Sequence, residues 1–214
     1  MLLASNSPHA KDAKDAKDGR AGIEICILAG GLSTRMGRDK ARLKIGGATM
    51  LARIRSVAEA FGVPVRVLRK DRVRRCGPLG GIVTALRSSE AQAVLFLACD
   101  MPLISLALLK RVARLSREGE RVIFVAQAGR VGFPFLLPVK MLVRVEAQIT
   151  AGEFSLQALA EKLRAHRVSS SARSRALFNV NTPEDAVRAR AWLQKRPQPS
   201  DKQKLLPVGV EKRP

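Results

Sequence analysis

Residues 93–100 read AVLFLACD: six apolar residues in a row, a cysteine, then a carboxylate. Strict alternation of apolar and polar residues would mark a strand with one wet face. An unbroken apolar run this short instead marks a central parallel strand buried on both faces. Asp100 closes the run, Met101 and Pro102 follow, and helical spacing resumes with Leu108, Leu109, Val112 and Leu115.

The same alternation extends in both directions. Gly22 to Ala29 (GIEICILA) is β-rich and runs into a glycine pair. Thr49 is placed to cap a helix carrying Leu51, Ile54, Ala58 and Phe61 on one face. A short strand over Val63 to Leu68 follows, and then a helix that starts at GPLGG (77–81) and ends at Arg87. Beyond the central run, strands are expected over Arg121 to Ala126 and Gly132 to Leu137. Leu156, Leu159, Ala160 and Leu163 form a helical face. A last strand is expected over Leu177 to Val180 and a last helix over 183–193, with Ser105 and Thr182 as further helix caps. His166, late in an amphipathic stretch, reads as a surface or helix-end residue. Strands alternating with helices in this way give an α/β layer fold with a largely parallel sheet. Ligands bind such sheets at the carboxyl ends of the strands, so the loops after Ala29, Leu68, Ala98 and Val180 are the informative ones. Residues 1–21, with the repeat AKDAKDAKDGR, read as a solvated leader and residues 195–214 as a disordered tail. A single domain over 22–194 remains.

Composition bounds the function. Of 214 residues, 46% are hydrophobic and 27% charged, enough for a sizeable core and unlike a disordered chain. No apolar run approaches the roughly 18 residues of a membrane span, and the start has no secretory pattern, so a soluble cytoplasmic protein is expected. The net charge is +21. Removing the 10 basic and 5 acidic side chains of the two flanks from the 39 and 18 of the whole leaves residues 23–193 with 29 and 13. Such a field gathers anions of any kind. With no Tyr, one Trp and seven Phe, mostly inside apolar runs, the chain lacks the stacking surface of an RNA binder. Cys26, Cys76 and Cys99 form no CxxC pair, and two histidines are too few for a histidine metal site.

The loop after the first strand, LAGGLSTRMGRDK (28–40), holds three glycines within eight positions, the hydroxyls of Ser33 and Thr34, and the cations Arg35 and Lys40. Glycines let the backbone turn tightly and present N–H groups to an anion, and the cations suit a triphosphate. Neither GxxxxGK[ST] nor GxGxxG is present. Asp100, at the tip of the central strand, projects into the ligand cleft, where Mg²⁺ takes one or two carboxylates plus substrate phosphates.

Taken in order, ILAGGLSTRMGRDKA, GPLGGIVTAL, LFLACDMP, SLQALAEKL and FNVNTPED resemble the molybdenum cofactor guanylyltransferase family over about residues 24–193. The resemblance implies a Rossmann-like three-layer sandwich of the nucleotide-diphospho-sugar transferase type. It also implies Mg²⁺-dependent transfer of GMP from GTP to the terminal phosphate of molybdopterin, releasing pyrophosphate. By motif match, Leu28, Ala29, Gly30 and Gly31 form the nucleotide loop and Lys40 reaches the phosphates. Arg35 and Lys40 stabilise charge, and Asp100 is the metal ligand facing the nucleotide. Gly77, Pro78 and Leu79 lie against the guanine, and Asn179 and Asn181 belong to the pterin side. GTP and molybdopterin are the implied partners, with molybdenum-insertion proteins or molybdoenzyme chaperones beyond them; neither membrane nor nucleic acid is expected.

Three departures stand out. The stretch before GPLGG has room for one strand where the family commonly has two. Asp71 falls near a nucleotide-contacting position of the family and is counted with the nucleotide contacts, although within RKDR (69–72) a surface ion pair accounts for it nearly as well. Phe133-Pro134 replaces the family's frequent His-Pro, removing one polar contact. Against the family's cytidylyltransferase relatives, Gly30-Gly31 and GPLGG both favour guanine. CMP transfer to molybdopterin, nucleotide transfer to a sugar phosphate, and a non-catalytic basic nucleotide- or RNA-binding module remain open as alternatives.

Overall fold

The computed structural model describes residues 22–30, 40–70, 76–171 and 174–194; the expected leader and tail lie outside the described residues. Six strands form one sheet. They are β1 (Ile23–Leu28), β4 (Val65–Leu68), β5 (Ala93–Ala98), β6 (Ile123–Gln127), β7 (Arg130–Pro138) and β8 (His166–Ser169), in the spatial order β4-β1-β5-β7-β6-β8. A separate two-stranded hairpin joins β2 (Lys44–Ile45) to β3 (Ala48–Thr49). The pairs β1/β4, β1/β5 and β6/β8 are parallel, and β7 runs antiparallel between β5 and β6.

Burial follows the strand period of two. Ile23, Ile25 and Ile27 of β1 and Ala93, Leu95 and Leu97 of β5 face one helical layer, while Cys26, Val94 and Phe96 face the other. The first layer is α1 (Met50–Glu59) and α3 (Leu106–Leu115), through Ile54, Ala58, Leu109 and Val112. The second is α2 (Pro78–Arg87), α4 (Leu142–Thr150) and α5 (Leu156–Lys162), through Ile82, Leu86, Val145 and Leu159. In the second layer Phe96, Phe135 and Phe124 stack across three adjacent strands, with ring centroids 5.0 and 4.6 Å apart. The last helix, α6 (Pro183–Gln194), closes a satellite core with Ile45, Met50 and Val180. No helix of the described residues is long and apolar enough to cross a membrane.

The sequence expectations need three amendments. Leu177 to Val180 is not a strand: a 3-10 turn covers Arg175–Leu177, and the next residues run extended outside the sheet. The Phe178 N–H closes the turn on the Arg175 carbonyl at 3.1 Å, and the Val180 N–H donates to the Asp100 carbonyl at 2.8 Å in place of a ladder. His166 is exposed, as the surface reading expects, but it opens the edge strand β8 rather than ending a helix. The stop comes earlier, where Arg164 takes φ 48° and the Ala165 N–H reaches back to the Ala160 carbonyl at 2.9 Å, a left-handed cap normally given to glycine. Helix α4, finally, is absent from the expected elements, although Leu142, Val145 and Ile149 follow helical spacing and pack on the second-layer core.

Candidate active site

Strands β4, β1 and β5 end level. Leu28 is in register with both Leu68 and Ala98. The Ala29 N–H donates to the Leu68 carbonyl at 2.8 Å, and the Cys99 N–H donates to the Leu28 carbonyl at 3.1 Å. The chain therefore leaves all three strands at one edge, with Leu28 and Ala29 half-buried and Gly30 exposed. Gly31, Arg35 and Asp71 lie outside the described residues. Lys40 opens a 3-10 turn, Lys40–Arg42, on the return from the first loop.

Asp100 is half-buried at the tip of β5, and its Oδ1 is shielded from solvent. Capping of the following helix is done by Ser105, whose Oγ accepts the Leu108 N–H at 3.3 Å, and not by Asp100. Buried Met101, Leu103 and Ile104 anchor the segment beneath it.

Helix α2 starts at the same edge because it follows β4 and returns to β5. Gly77 stands at its N-cap with φ 53° and ψ −140°, and Pro78 fills the first helical position. This left-handed backbone region strains any residue with a Cβ. A Cβ at Gly77 would lie 3.8 Å from the Phe154 carbonyl oxygen, so the loop between α4 and α5 borders this end of the helix. That loop is held by the Glu153 N–H on the Gln148 carbonyl at 3.1 Å and by Gln148 Nε2 on the Ser155 carbonyl at 3.0 Å. Phe154 is 41% exposed. Sequence reasoning does not find this loop; its one signal is an aromatic immediately before the capping Ser155 of α5.

Asn179 and Asn181 reach the same edge through Val180. That residue is fully buried against Ile45, Met50, Ala186 and Ala189, and it is hydrogen-bonded to Asp100 as described. Both asparagines are exposed on either side of it. Their position is fixed by a reciprocal cap: Thr182 Oγ1 accepts the Asp185 N–H at 3.2 Å while Asp185 Oδ2 accepts the Thr182 and Asn181 N–H groups at 3.1 and 3.0 Å.

The edge thus gathers a carboxylate with a shielded oxygen, a helix N-terminus whose partial charge is positive, a glycine-bearing loop and two amide side chains. Positive helix ends and turning backbone favour phosphate. Among the described residues no group of three or more His, Cys, Asp or Glu side chains could hold a metal. The donor set suits a hard ion completed by substrate phosphates, as Mg²⁺ is, and does not suit a protein-caged zinc.

Arg66, on β4, is engaged away from this edge. Its guanidinium pairs with Glu24 and donates to Ser88 Oγ at 2.5 Å and to the Ala85 carbonyl at 2.8 Å. It ties β4 to β1 and α2. Opposite it, burial pushes the Cys26 thiol up to about 12, an effect Arg66 offsets in part and Glu24 adds to. Cys26 is therefore an inert core thiol.

The family profile described as a MobA-like NTP transferase domain matches residues 25–75 and 54–169. A probable molybdenum cofactor guanylyltransferase of Opitutus terrae is 32% identical over 77% of this chain and 93% of its own length. A molybdenum cofactor guanylyltransferase of Pseudomonas entomophila is also 32% identical, over 75% of this chain and 94% of its own. Among solved structures, the molybdopterin-guanine dinucleotide biosynthesis protein A of Archaeoglobus fulgidus superposes with a TM-score of 0.62 at 17% identity, covering 81% of this chain and 100% of that one.

Proposed function

The chain belongs to the MobA-like NTP transferase family, and from that premise we propose that it transfers GMP from GTP to the terminal phosphate of molybdopterin, releasing pyrophosphate. The observation that carries this reading is the position of Asp100, level with the first-strand loop and the start of α2 and bonded through its backbone to the Asn179–Asn181 segment.

Each residue has a role within the scheme. Leu28 to Gly31 wrap the triphosphate with backbone N–H groups, and Gly77 to Leu79 border the base, where residues without bulky side chains leave room for a purine. Asp71 joins the nucleotide contacts. Arg35 and Lys40 neutralise charge that builds on the phosphate oxygens during in-line attack at the α-phosphorus. Asn179 and Asn181 orient the acceptor so that its terminal phosphate oxygen faces that phosphorus. Asp100 would hold Mg²⁺, which when bound adds Lewis-acid stabilisation to the same oxygens. No covalent enzyme intermediate is needed, so catalysis is positioning and electrostatics. Residues 22–194 form the single catalytic domain, acting in the cytoplasm.

The test is product analysis with the purified full chain, Mg²⁺ and molybdopterin, offering GTP, CTP and ATP separately. Pyrophosphate and a guanine dinucleotide product from GTP alone are expected. A product from CTP would move the protein to cytidylyl transfer. Turnover with no nucleotide, together with equal salt-labile binding of all three, would overturn the enzymatic reading.

A further inference from the structure

A second concave surface lies at the opposite edge of the sheet, where β6 and β8 begin and β7 ends. It is a cleft of about 630 Å³, within the size range of small-molecule sites. Three separate connections meet there and each brings Arg or Lys: Arg121 before β6, Lys140 and Arg144 around the start of α4, and Arg164 between α5 and β8, with His166 beside it at the first position of β8. Glu120 is the one acidic residue in the lining, and the floor includes the buried side chains of Val122 and Leu163. The His166 N–H donates to the Val122 carbonyl at 2.9 Å, joining two of the three connections beneath the cleft.

The four Arg and Lys charges outnumber the single acid, Glu120, in the lining. Among the described residues none of them forms an ion pair or donates a side-chain hydrogen bond. The acids on the adjoining helices are committed elsewhere, Glu146 to Arg87 at 2.7 Å and Glu161 to Arg167 at 3.6 Å. Arg164 adds a sharper observation. Its φ of 48° occupies the helix-ending position that glycine fills most cheaply, yet the chain keeps a long cation there, and that residue lines the cleft. A solvated basic face would not need its charge at a strained position, nor converging from three connections over an apolar floor.

We propose that this cleft binds a phosphorylated small molecule, its phosphates held by Arg121, Lys140, Arg144 and Arg164 and its apolar or heterocyclic body seated over Val122 and Leu163. The site is separate from the nucleotide-transfer edge, the strands lying between them. It therefore stands or falls independently of the activity proposed above, which GTP turnover reports.

Calorimetric titration of the full chain at about 0.15 M salt tests it, with ATP and inorganic tripolyphosphate as probes and the double variant R144A/R164G beside the wild type. Glycine takes the left-handed position at residue 164 without strain, and Arg144 is exposed on α4, so the variant should melt no lower than the wild type. Expected are ATP binding tighter than tripolyphosphate binding, a loss of about tenfold or more for ATP in the variant, and unchanged GTP turnover. Equal ATP affinity in variant and wild type would overturn the proposal. So would tripolyphosphate binding as tightly as ATP, which would mean charge without a seat for the body. A single-stranded RNA that binds more tightly than ATP and is lost in the same variant would assign the cleft to nucleic acid instead.

Discussion

At the residue scale the proposed mechanism turns on Asp100. Its backbone carbonyl is taken by the Val180 N–H at 2.8 Å and Ser105 caps the helix that follows, so neither of those contacts depends on the charge of the carboxylate. Replacing it with Asn keeps the shape and the backbone bond and removes the charge. Asp100→Asn should therefore lower turnover of GTP with molybdopterin by ~10²–10³, the cost of losing one transition-state stabiliser. The melting temperature should stay within a few degrees of wild type. Steady-state kinetics paired with a thermal melt checks it, and a collapse of both together would mean that the carboxylate holds the fold rather than the reaction.

At the scale of elements the sheet is stapled by the Phe96–Phe135–Phe124 stack, which crosses β5, β7 and β6. Phe135 is the middle ring and fully buried, on the one strand antiparallel to both neighbours. Phe135→Ala should cost about 3–5 kcal/mol in denaturant unfolding, while Phe154→Ala, at a half-exposed ring outside the core, should cost far less. The same elements show what is legible in the chain. Strand β5 can be read because six apolar residues in a row, too few for a buried helix, fit a strand covered on both faces. Helices α1 and α3 can be read because Thr49 and Ser105 supply caps where the spacing begins. Helix α4 is harder to read: Leu142, Val145 and Ile149 keep helical spacing, but the segment is rich in β-branched residues, begins with no side-chain cap and exposes Val143. Strand β8 is hidden by Arg164, since a helix stop written with arginine lacks the glycine that announces one. The stretch 177–180 has strand-like residues, but the partner that fixes Val180 is Asp100, about eighty positions away, and no local pattern records it. At the site, the tip position of Asp100 and the helix start at Gly77-Pro78 are visible locally. The approach of the Phe154 loop to Gly77 is set by the tertiary packing of α4 and α5 and is not.

At the scale of the whole molecule the charge becomes a kinetic property. Residues 23–193 hold 29 basic and 13 acidic side chains, and several of those acids are spent in ion pairs such as Arg55–Glu59 at 2.7 Å and Lys162–Glu153 at 2.8 Å. The remaining field is positive over distances set by salt: the Debye length is about 10 Å at 0.1 M and about 3 Å at 1 M. A nucleoside triphosphate approaching the strand edge is attracted by many side chains it never touches, and such steering raises association rates by about 10–10³. Once bound, the nucleotide meets only the local groups of the edge, where screening penetrates less. Raising the salt from about 0.05 to 0.5 M should therefore lower kcat/KM for GTP by about tenfold and change kcat by less than about twofold. A parallel fall in kcat would show that salt disturbs the bound complex rather than the encounter. Removing two charges in R144A/R164G takes away a small part of a net +21, so the salt slope of kcat/KM should survive in that variant even where ATP binding to the second cleft is lost.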